Sequence, residues 1–189
     1  MASTPEIGAV ENGNLAFFKD FLTSTNVQIK DLAPMIGISR SAVHHWFRTD
    51  DINLSNLVSA AEVLGYKVYI SISDDPNEMH PSTSAQVING LPVTSKRMYF
   101  LSHALKKAKI NRKDFAGMLN FSISAVSYWF YKDDTTLGNI IMCARVLKQN
   151  LNFRFVKTAE QAVISRDEII INSSVMSTRN YLPSEPPAE

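Results

Sequence analysis

The sequence predicts a mainly α-helical protein with a small β component, built from two tandem copies of one unit. The first observation is an internal repeat: residues 15–73 align with residues 98–156 at a constant offset of 83 positions without a gap, and about a third of the aligned residues are identical. An offset kept over this length indicates a duplicated structural unit. Second, apolar residues recur at helical spacing at the same places in both copies. Third, each copy ends in a stretch that alternates between apolar and polar residues, as β-strands do.

Four helices are predicted in each copy. They fall at about residues 15–25, 31–36, 39–48 and 54–64 in the first copy, and at about 98–109, 114–119, 122–131 and 137–147 in the second. Residues whose side chains can accept a hydrogen bond from a free backbone N–H precede most of these helices. These candidate N-caps are Asn12, Ser39, Asn53, Ser95, Ser122 and Thr136.

The second helix and the turn after it carry specific backbone signals. Pro34 is compatible with a helix that begins near Asp31, because proline is tolerated in the first turn. Gly37 then supplies a turn residue that can adopt the left-handed conformation. Asn120 takes this place in the second copy, and asparagine tolerates that conformation better than most residues.

The alternating stretches, residues 66–73 and 150–155, are predicted to be strands. Their apolar faces consist of Val68, Ile70 and Ile72 in the first copy and Leu151, Phe153 and Phe155 in the second. A lone strand is not stable, and the nearest available partner is the strand of the other copy. We therefore expect the two strands to pair antiparallel about a pseudo-twofold axis.

The remaining segments have less regular patterns. Residues 74–94 contain three prolines and few large apolar residues, which predicts an extended linker. Residues 158–182 include the apolar groups AVIS and EIIIN, so an extra strand or hairpin is expected there. The tail at 183–189 is expected to be disordered.

The composition is ordinary for a globular protein in water: 45% of residues are hydrophobic and 20% are charged. The N-terminal sequence does not resemble a secretory signal, and no apolar run is long enough to cross a bilayer. The single cysteine, Cys143, lies on an apolar helical face and is expected to be a buried thiol in a reducing compartment. These features predict a cytoplasmic protein without a membrane partner.

Charge is distributed unevenly between the copies, although the net charge of the chain is only +1. Residues 15–73 carry five basic and five acidic side chains, whereas residues 98–156 carry nine basic and three acidic ones. The second copy therefore has the stronger electrostatic reason to approach a phosphate backbone.

A small residue in the second helix, a Gly or Asn turn and an apolar side on the third helix specify a helix-turn-helix. The residues are Leu32, Ala33, Gly37, Val43 and Trp46 in the first copy and Phe115, Ala116, Asn120, Val126 and Trp129 in the second. The unit resembles the lambda-repressor-like (Cro/C1, or XRE) DNA-binding family over about residues 15–65 and 98–148. The resemblance implies helix-turn-helix domains with C-terminal strands at 12–73 and 95–157.

In that family the third helix enters the major groove, led by its N-terminal residues. Carried over by position, the implied groove contacts are Ser39, Arg40, Ser41, His44, His45 and Arg48, with Ser122, Ile123, Ser124, Ser127, Tyr128, Tyr131 and Lys132 in the second copy. The implied phosphate contacts, at the starts of the second helices, are Gln28, Lys30, Arg112 and Lys113.

The loop after each third helix is acidic, containing Asp50 and Asp51 in one copy and Asp133 and Asp134 in the other. Carboxylates facing DNA would repel its phosphates. We expect these side chains to turn inward and cap the fourth helices; pairing with a lysine is the alternative.

The leading hypothesis is a sequence-specific double-stranded DNA-binding protein, a transcriptional regulator associated with the nucleoid that acts as a single-chain pseudo-dimer. The copies would insert unlike recognition helices in successive major grooves. A further partner, the chain itself or another protein, can be expected at the strands or the C-terminal segment. The alternative is a protein–protein interaction module, or an accessory factor of a mobile element, with weak or no DNA binding.

The sequence does not predict an enzyme or a cofactor. It contains no Gly-rich phosphate loop and no G-x-S-x-G motif. His44 and His45 are adjacent on a helix and must point in different directions, while His80 and His103 are far away in the sequence. We therefore expect no metal site.

Overall fold

The computed structural model describes residues 13–84, 86–88, 91–93, 96–158 and 171–172. Within these residues the chain forms eight helices and six strands. The helices are α1 Ala16–Ser24, α2 Ile29–Ile36, α3 Arg40–Thr49, α4 Leu54–Val63, α5 Tyr99–Ala108, α6 Arg112–Met118, α7 Ile123–Lys132 and α8 Leu137–Val146. The strands are β1 Tyr66–Ile72, β2 His80–Ser82, β3 Gln86–Ile88, β4 Leu91–Val93, β5 Leu151–Lys157 and β6 Ile171–Asn172. None of the helices in this described part is long and apolar enough to cross a membrane.

The prediction of a mainly α-helical fold with a small antiparallel sheet is confirmed. The turns that start the third helices also follow the sequence. Gly37 and Asn120 both adopt positive φ angles, of 71° and 57°. The hydroxyl of Ser39 accepts a hydrogen bond from the backbone N–H of Ala42, and the hydroxyl of Ser122 does the same at the start of α7.

The expected position of Pro34 in the first turn of α2 is wrong. The helix begins at Ile29 instead of near Asp31, so Pro34 lies inside it. Because proline has no backbone N–H, the carbonyl of Lys30 loses its helical partner. Lys30 and Pro34 are both exposed. Water can therefore bond this carbonyl, which makes the interior proline tolerable.

One of the expected N-caps behaves differently from the sequence prediction. Thr136 caps α8 by accepting a bond from the backbone N–H of Asn139, as expected. Asn53 precedes α4 but makes no side-chain capping bond. The N–H of Ser55 is instead bonded to a carboxylate from the other copy, that of Asp134. The other two candidates, at positions 12 and 95, lie outside the described residues.

The two strands predicted at the ends of the copies pair antiparallel, as expected. β1 and β5 form the centre of a four-stranded sheet with the order β2-β1-β5-β6. Their register runs from Tyr66 opposite Lys157 to Ile72 opposite Leu151. It places Ile70 opposite Phe153, its own equivalent in the repeat.

The segment predicted as an extended linker, 74–94, contains strands. β2 pairs antiparallel with β1, and β3 pairs with β4 in a separate two-stranded sheet. Without β2, the backbone N–H and C=O groups on the outer edge of β1 would be unpaired. Pairing with β2 provides hydrogen-bond partners for them. Pro81 fits here because β2 is at the sheet edge, where a proline costs no ladder bond. In the segment predicted as an extra strand or hairpin, β6 pairs with β5.

The described apolar side chains form a core that is continuous between the copies. Phe21 of α1 stacks on Phe155 of β5 with ring centroids 3.9 Å apart, and Phe17 stacks on Phe153 at 4.5 Å. The first helix of one copy therefore packs on the strand of the other. Cys143 is fully buried, as expected, and burial raises the pKa of its thiol to about 12.

Candidate nucleic-acid interface

Reciprocal backbone bonds join the two copies beside the third helices. The N–H of Leu54 donates to the carbonyl of Thr135 at 2.9 Å. The equivalent N–H of Leu137 donates to the carbonyl of Ile52 at 2.8 Å. Between them, Asn53 and Thr136 form an isolated antiparallel bridge. The repeat makes the two bonds equivalent to each other, and the bridge joins a position to its own equivalent, so the starts of α4 and α8 lie side by side.

Asp51 and Asp134 reinforce this junction. Oδ1 of Asp51 accepts a hydrogen bond from the N–H of Gly138 at 2.9 Å. Asp134 accepts one from the N–H of Ser55 at 2.9 Å and a second from its hydroxyl at 2.6 Å. The expected capping of the fourth helices is therefore present, but each aspartate caps the helix of the other copy. A carboxylate at a helix N-terminus is favoured by both hydrogen bonding and the helix dipole.

Asp50 and Asp133 cap the first helices, a contact that the sequence pattern does not predict. Asp50 accepts bonds from the backbone N–H groups of Asn14 and Leu15. Asp133 accepts bonds from the backbone N–H groups just before α5, at Arg97 and Met98, both at 2.8 Å. All four loop carboxylates thus accept hydrogen bonds from backbone N–H groups, and those of Asp51 and Asp134 do so at the edge of clefts beside the third helices.

The third helices expose the residues expected to contact DNA. α3 and α7 contain no acidic residue. Every predicted contact is exposed except Ser127, which is half-buried. Four of the hydroxyls are already engaged: those of Ser39 and Ser122 cap their helices, and those of Ser41 and Ser124 lie 2.9 and 3.4 Å from these capping hydroxyls. On α3, Nη2 of Arg48 lies 3.1 Å from Nδ1 of His45, which orients both side chains along one face.

The equivalent face of α7 is aromatic and cationic. Tyr131 is 81% exposed and Tyr128 is 56% exposed, and their ring centroids lie 6.5 Å apart. The ammonium of Lys132 lies 5.6 Å from the Tyr128 ring centroid and 5.7 Å from that of Tyr131. This face can offer a tyrosine hydroxyl, an aromatic edge and a positive charge. It differs chemically from the serine, histidine and arginine face of α3.

The predicted phosphate contacts lie where the second helices start. Gln28 is the N-cap residue of α2, and Lys30 follows two positions later. Arg112 and Lys113 are the first residues of α6. The guanidinium carbon of Arg112 lies 4.3 Å from the ring centroid of Phe130 on α7. This contact holds Arg112 against the third helix while its side chain remains exposed.

Two open clefts flank the bridge between Asn53 and Thr136, and both residues line both clefts. On one side the cleft is bordered by the C-terminal half of α3, including His45 and Trp46. On the other it is bordered by the equivalent part of α7, including Tyr128. A single continuous surface therefore connects the two third helices. We call this surface, from α3 across the bridge to α7, the junction face.

The junction face includes polar residues that the sequence analysis missed. They are Asn53, Asn56, Thr136, Asn139 and Arg97. The repeat carried a signal for one pair, because Asn56 and Asn139 are identical at equivalent positions. This identity alone does not predict a binding residue, because it becomes informative only once the starts of α4 and α8 are known to meet.

One cluster of possible metal ligands occurs in the described residues, and it lies outside the junction face. It consists of Glu78, His80 and His103, whose ligand atoms all lie within 4.8 Å of one another. The first two belong to the segment between the copies and the third to α5. The fold thus unites residues that sequence spacing gave no reason to group.

No family model, curated protein or solved structure matches the chain.

Proposed function

We propose that the chain is a sequence-specific double-stranded DNA-binding protein that acts as a transcriptional regulator in the cytoplasm, on the nucleoid. Two tandem helix-turn-helix units form a pseudo-dimer within one polypeptide, with α3 and α7 as recognition helices. The observation that carries the proposal is the junction face, where both exposed helices border one surface. A pair of reciprocal, equivalent bonds is the pattern that a pseudo-twofold axis produces, and it supports insertion of the helices in successive major grooves, about 34 Å apart.

The charge of the surface supports a polyanionic partner. The four loop aspartates are engaged by backbone N–H groups, while the basic side chains of the second and third helices remain exposed. These are Lys30, Arg40, Arg48, Arg112, Lys113 and Lys132. Neutralisation of phosphates by such side chains releases counterions, so affinity should fall steeply with salt concentration.

The two recognition helices are proposed to read unlike half-sites. Arg40 can form paired hydrogen bonds with the O6 and N7 atoms of guanine, whereas Ile123 at the equivalent position can only contact a thymine methyl. His45 is likewise replaced by Tyr128. The operator should therefore lack the inverted symmetry that a dimer of identical chains prefers.

A protein–protein interaction module is the second candidate, and one observation favours it. Residues 15–73 have as many acidic as basic side chains, so the first copy has little attraction for DNA as a whole. In that case the junction face would bind a protein, and purified chain would not shift random duplex at low salt. We propose no catalytic activity, since neither third helix offers a nucleophile paired with a base and an orienting group.

The deciding experiment combines a gel-shift assay with selection of bound duplexes from a random pool. The wild-type chain should shift random duplex at low salt and enrich a defined sequence. The double variant Arg112→Ala/Lys113→Ala should bind all sequences more weakly, and its slope of log affinity against log salt should fall by roughly two.

The matched control is the double variant Lys67→Ala/Lys157→Ala. It also removes two exposed positive charges, but from strands β1 and β5 instead of the candidate surface. Its salt slope should stay close to that of the wild type. Equal losses in both double variants, or no shift by the wild-type chain, would reject DNA binding through this surface.

A further inference from the structure

We propose that Glu78, His80 and His103 bind a divalent transition-metal ion, with Zn²⁺ as the representative of the class. The three ligand atoms all lie within 4.8 Å of one another. They join the segment between the copies to α5 of the second copy. The site lies apart from the junction face, so this inference does not depend on DNA binding.

The distance between two of the ligands already suits such an ion. Nδ1 of His103 lies 3.2 Å from Oε1 of Glu78. Two ligands of a tetrahedral Zn²⁺, each about 2.1 Å from the metal, are roughly 3.4 Å apart. The remaining separations have to close by no more than about 1.4 Å, which rotation of a histidine ring can supply.

Glu78 is held in a favourable orientation by its other oxygen. Oε2 accepts hydrogen bonds from the hydroxyl of Ser73 and from the ammonium of Lys107, both at 2.6 Å. These bonds fix the carboxylate with Oε1 towards His103. Metal ligands are commonly oriented by such outer hydrogen bonds.

His80 supplies a nitrogen that lacks a partner. Its Nε2 atom is buried without a hydrogen-bond partner among the described residues. The ring centroid of His80 lies 4.4 Å from that of His103 and 5.3 Å from that of Tyr99. The neutral form of an imidazole ring carries the lone pair that a metal requires. A buried polar atom without a partner needs an explanation, and a bound ion provides one.

The ligand set selects the class of ion. Two imidazole nitrogens and one carboxylate suit Zn²⁺, Co²⁺ and Ni²⁺, whereas Mg²⁺ and Ca²⁺ prefer oxygen ligands throughout. Three protein ligands leave the fourth tetrahedral position of Zn²⁺ for a water molecule. The bound ion would clamp β2 and its preceding turn onto α5. It would stabilise the folded chain by an amount that grows with the logarithm of the free metal concentration divided by the dissociation constant.

Metal binding can be measured on the purified full chain after treatment with a chelator. Titration with Zn²⁺ in a calorimeter should give one ion per chain, and the melting temperature should rise. Co²⁺ should give the visible absorption of a tetrahedral site. The single variants His80→Gln and His103→Gln should each weaken Zn²⁺ binding by at least about tenfold, because even loss of a residue that only orients a ligand costs this much.

The chain offers a matched control, since its other two histidines are the exposed pair on α3. The double variant His44→Gln/His45→Gln should bind Zn²⁺ as the wild type does, with circular dichroism confirming that every variant is folded. If His80→Gln fails to fold, His103→Gln and Glu78→Gln provide the same test, because both positions are partly exposed. Absence of binding to the wild-type chain, or loss of binding only in the control variant, would overturn the proposal.

Discussion

The carboxylate of Asp134 accepts hydrogen bonds from both the backbone N–H and the hydroxyl of Ser55, at 2.9 and 2.6 Å, across 79 positions of the sequence. Asp51 makes the equivalent bond to Gly138 at 2.9 Å. The capping bonds of Asp51 and Asp134 are thus also bonds between the two copies. The relative position of the third helices depends on these polar contacts as well as on the shared apolar core.

We expect Asp134→Ala to lower the free energy of unfolding by about 1–2 kcal/mol, because α4 loses its cap and Ser55 loses its partner. Denaturant unfolding followed by circular dichroism measures this. Asp20→Ala is the matched control: Asp20 is exposed on α1, and its removal should change the free energy by less than about 0.5 kcal/mol. Equal effects of the two substitutions would contradict the capping role.

Asp134→Asn separates the hydrogen bond from the charge. Asparagine caps helices about as well as aspartate, so this variant should keep most of the stability that Asp134→Ala loses. A loss as large as that of the alanine variant would show that the negative charge at the helix terminus dominates instead.

The spacing of the half-sites should be strict, because the junction bonds fix α3 relative to α7. Inserting about 5 base pairs between the two half-sites of a selected operator turns one groove to the opposite side of the duplex. We expect affinity to fall towards that for a single half-site. Insertion of about 10 base pairs is the control. It returns both half-sites to the same side of the duplex but leaves them farther apart than in the selected operator. Unchanged affinity for both insertions would mean that only one recognition helix contacts DNA.

Arg40→Ala should change which sequence is preferred at one half-site only. A bidentate contact between arginine and guanine contributes about 1–3 kcal/mol of discrimination, and that preference should disappear. Repeated selection with the variant measures it position by position. Ile123→Ala, the equivalent substitution on α7, should affect only the other half-site. If both variants relax the same bases, the assignment of one helix to each half-site is wrong.

The metal-free cluster should make stability depend on pH through Glu78. Its folded-state pKa lies below the unfolded value of 4.5, chiefly because Lys107 donates a hydrogen bond to it. The resulting stabilisation is complete above the unfolded pKa and is lost as pH falls through the lowered, folded-state pKa. Glu78→Gln should therefore destabilise the chain at pH 7, and the difference should shrink in acid.

Unfolding curves at several pH values, with a chelator present, test this. His80, His103 and Lys107 also surround the carboxylate and are present in both proteins. The quantity that matters is the difference between wild type and variant. A difference that grows as pH falls would contradict the sign of the shift.

Helices and strand faces were predictable because local patterns determine them. The caps Ser39 and Ser122, and the left-handed residues Gly37 and Asn120, follow from the conformations that these residue types favour. The interior position of Pro34 was not foreseen, because a proline in the first turn of a helix costs less free energy than one inside it. Its actual position is compatible with the exposure of both Pro34 and Lys30, the residue whose carbonyl loses its helical partner.

Contacts between distant residues were less predictable. The inward turn of Asp51 and Asp134 was anticipated, but their target helices belong to the opposite copies, and no local pattern states that. Similarly, Glu78 and His103 meet only because β2 pairs with β1 and brings the connecting segment against α5. The spacing of the histidines in the sequence does not predict this arrangement.

Ile70 lies opposite Phe153, and Asn53 lies opposite Thr136, although each pair occupies a single position of the repeat. In a symmetric assembly of identical chains, a residue facing its own equivalent must be compatible with a copy of itself. Covalent fusion removes that requirement, so a bulky ring can meet a smaller branched side chain. One mutation then alters one side of the contact alone, and the two halves can diverge in sequence without losing their fit.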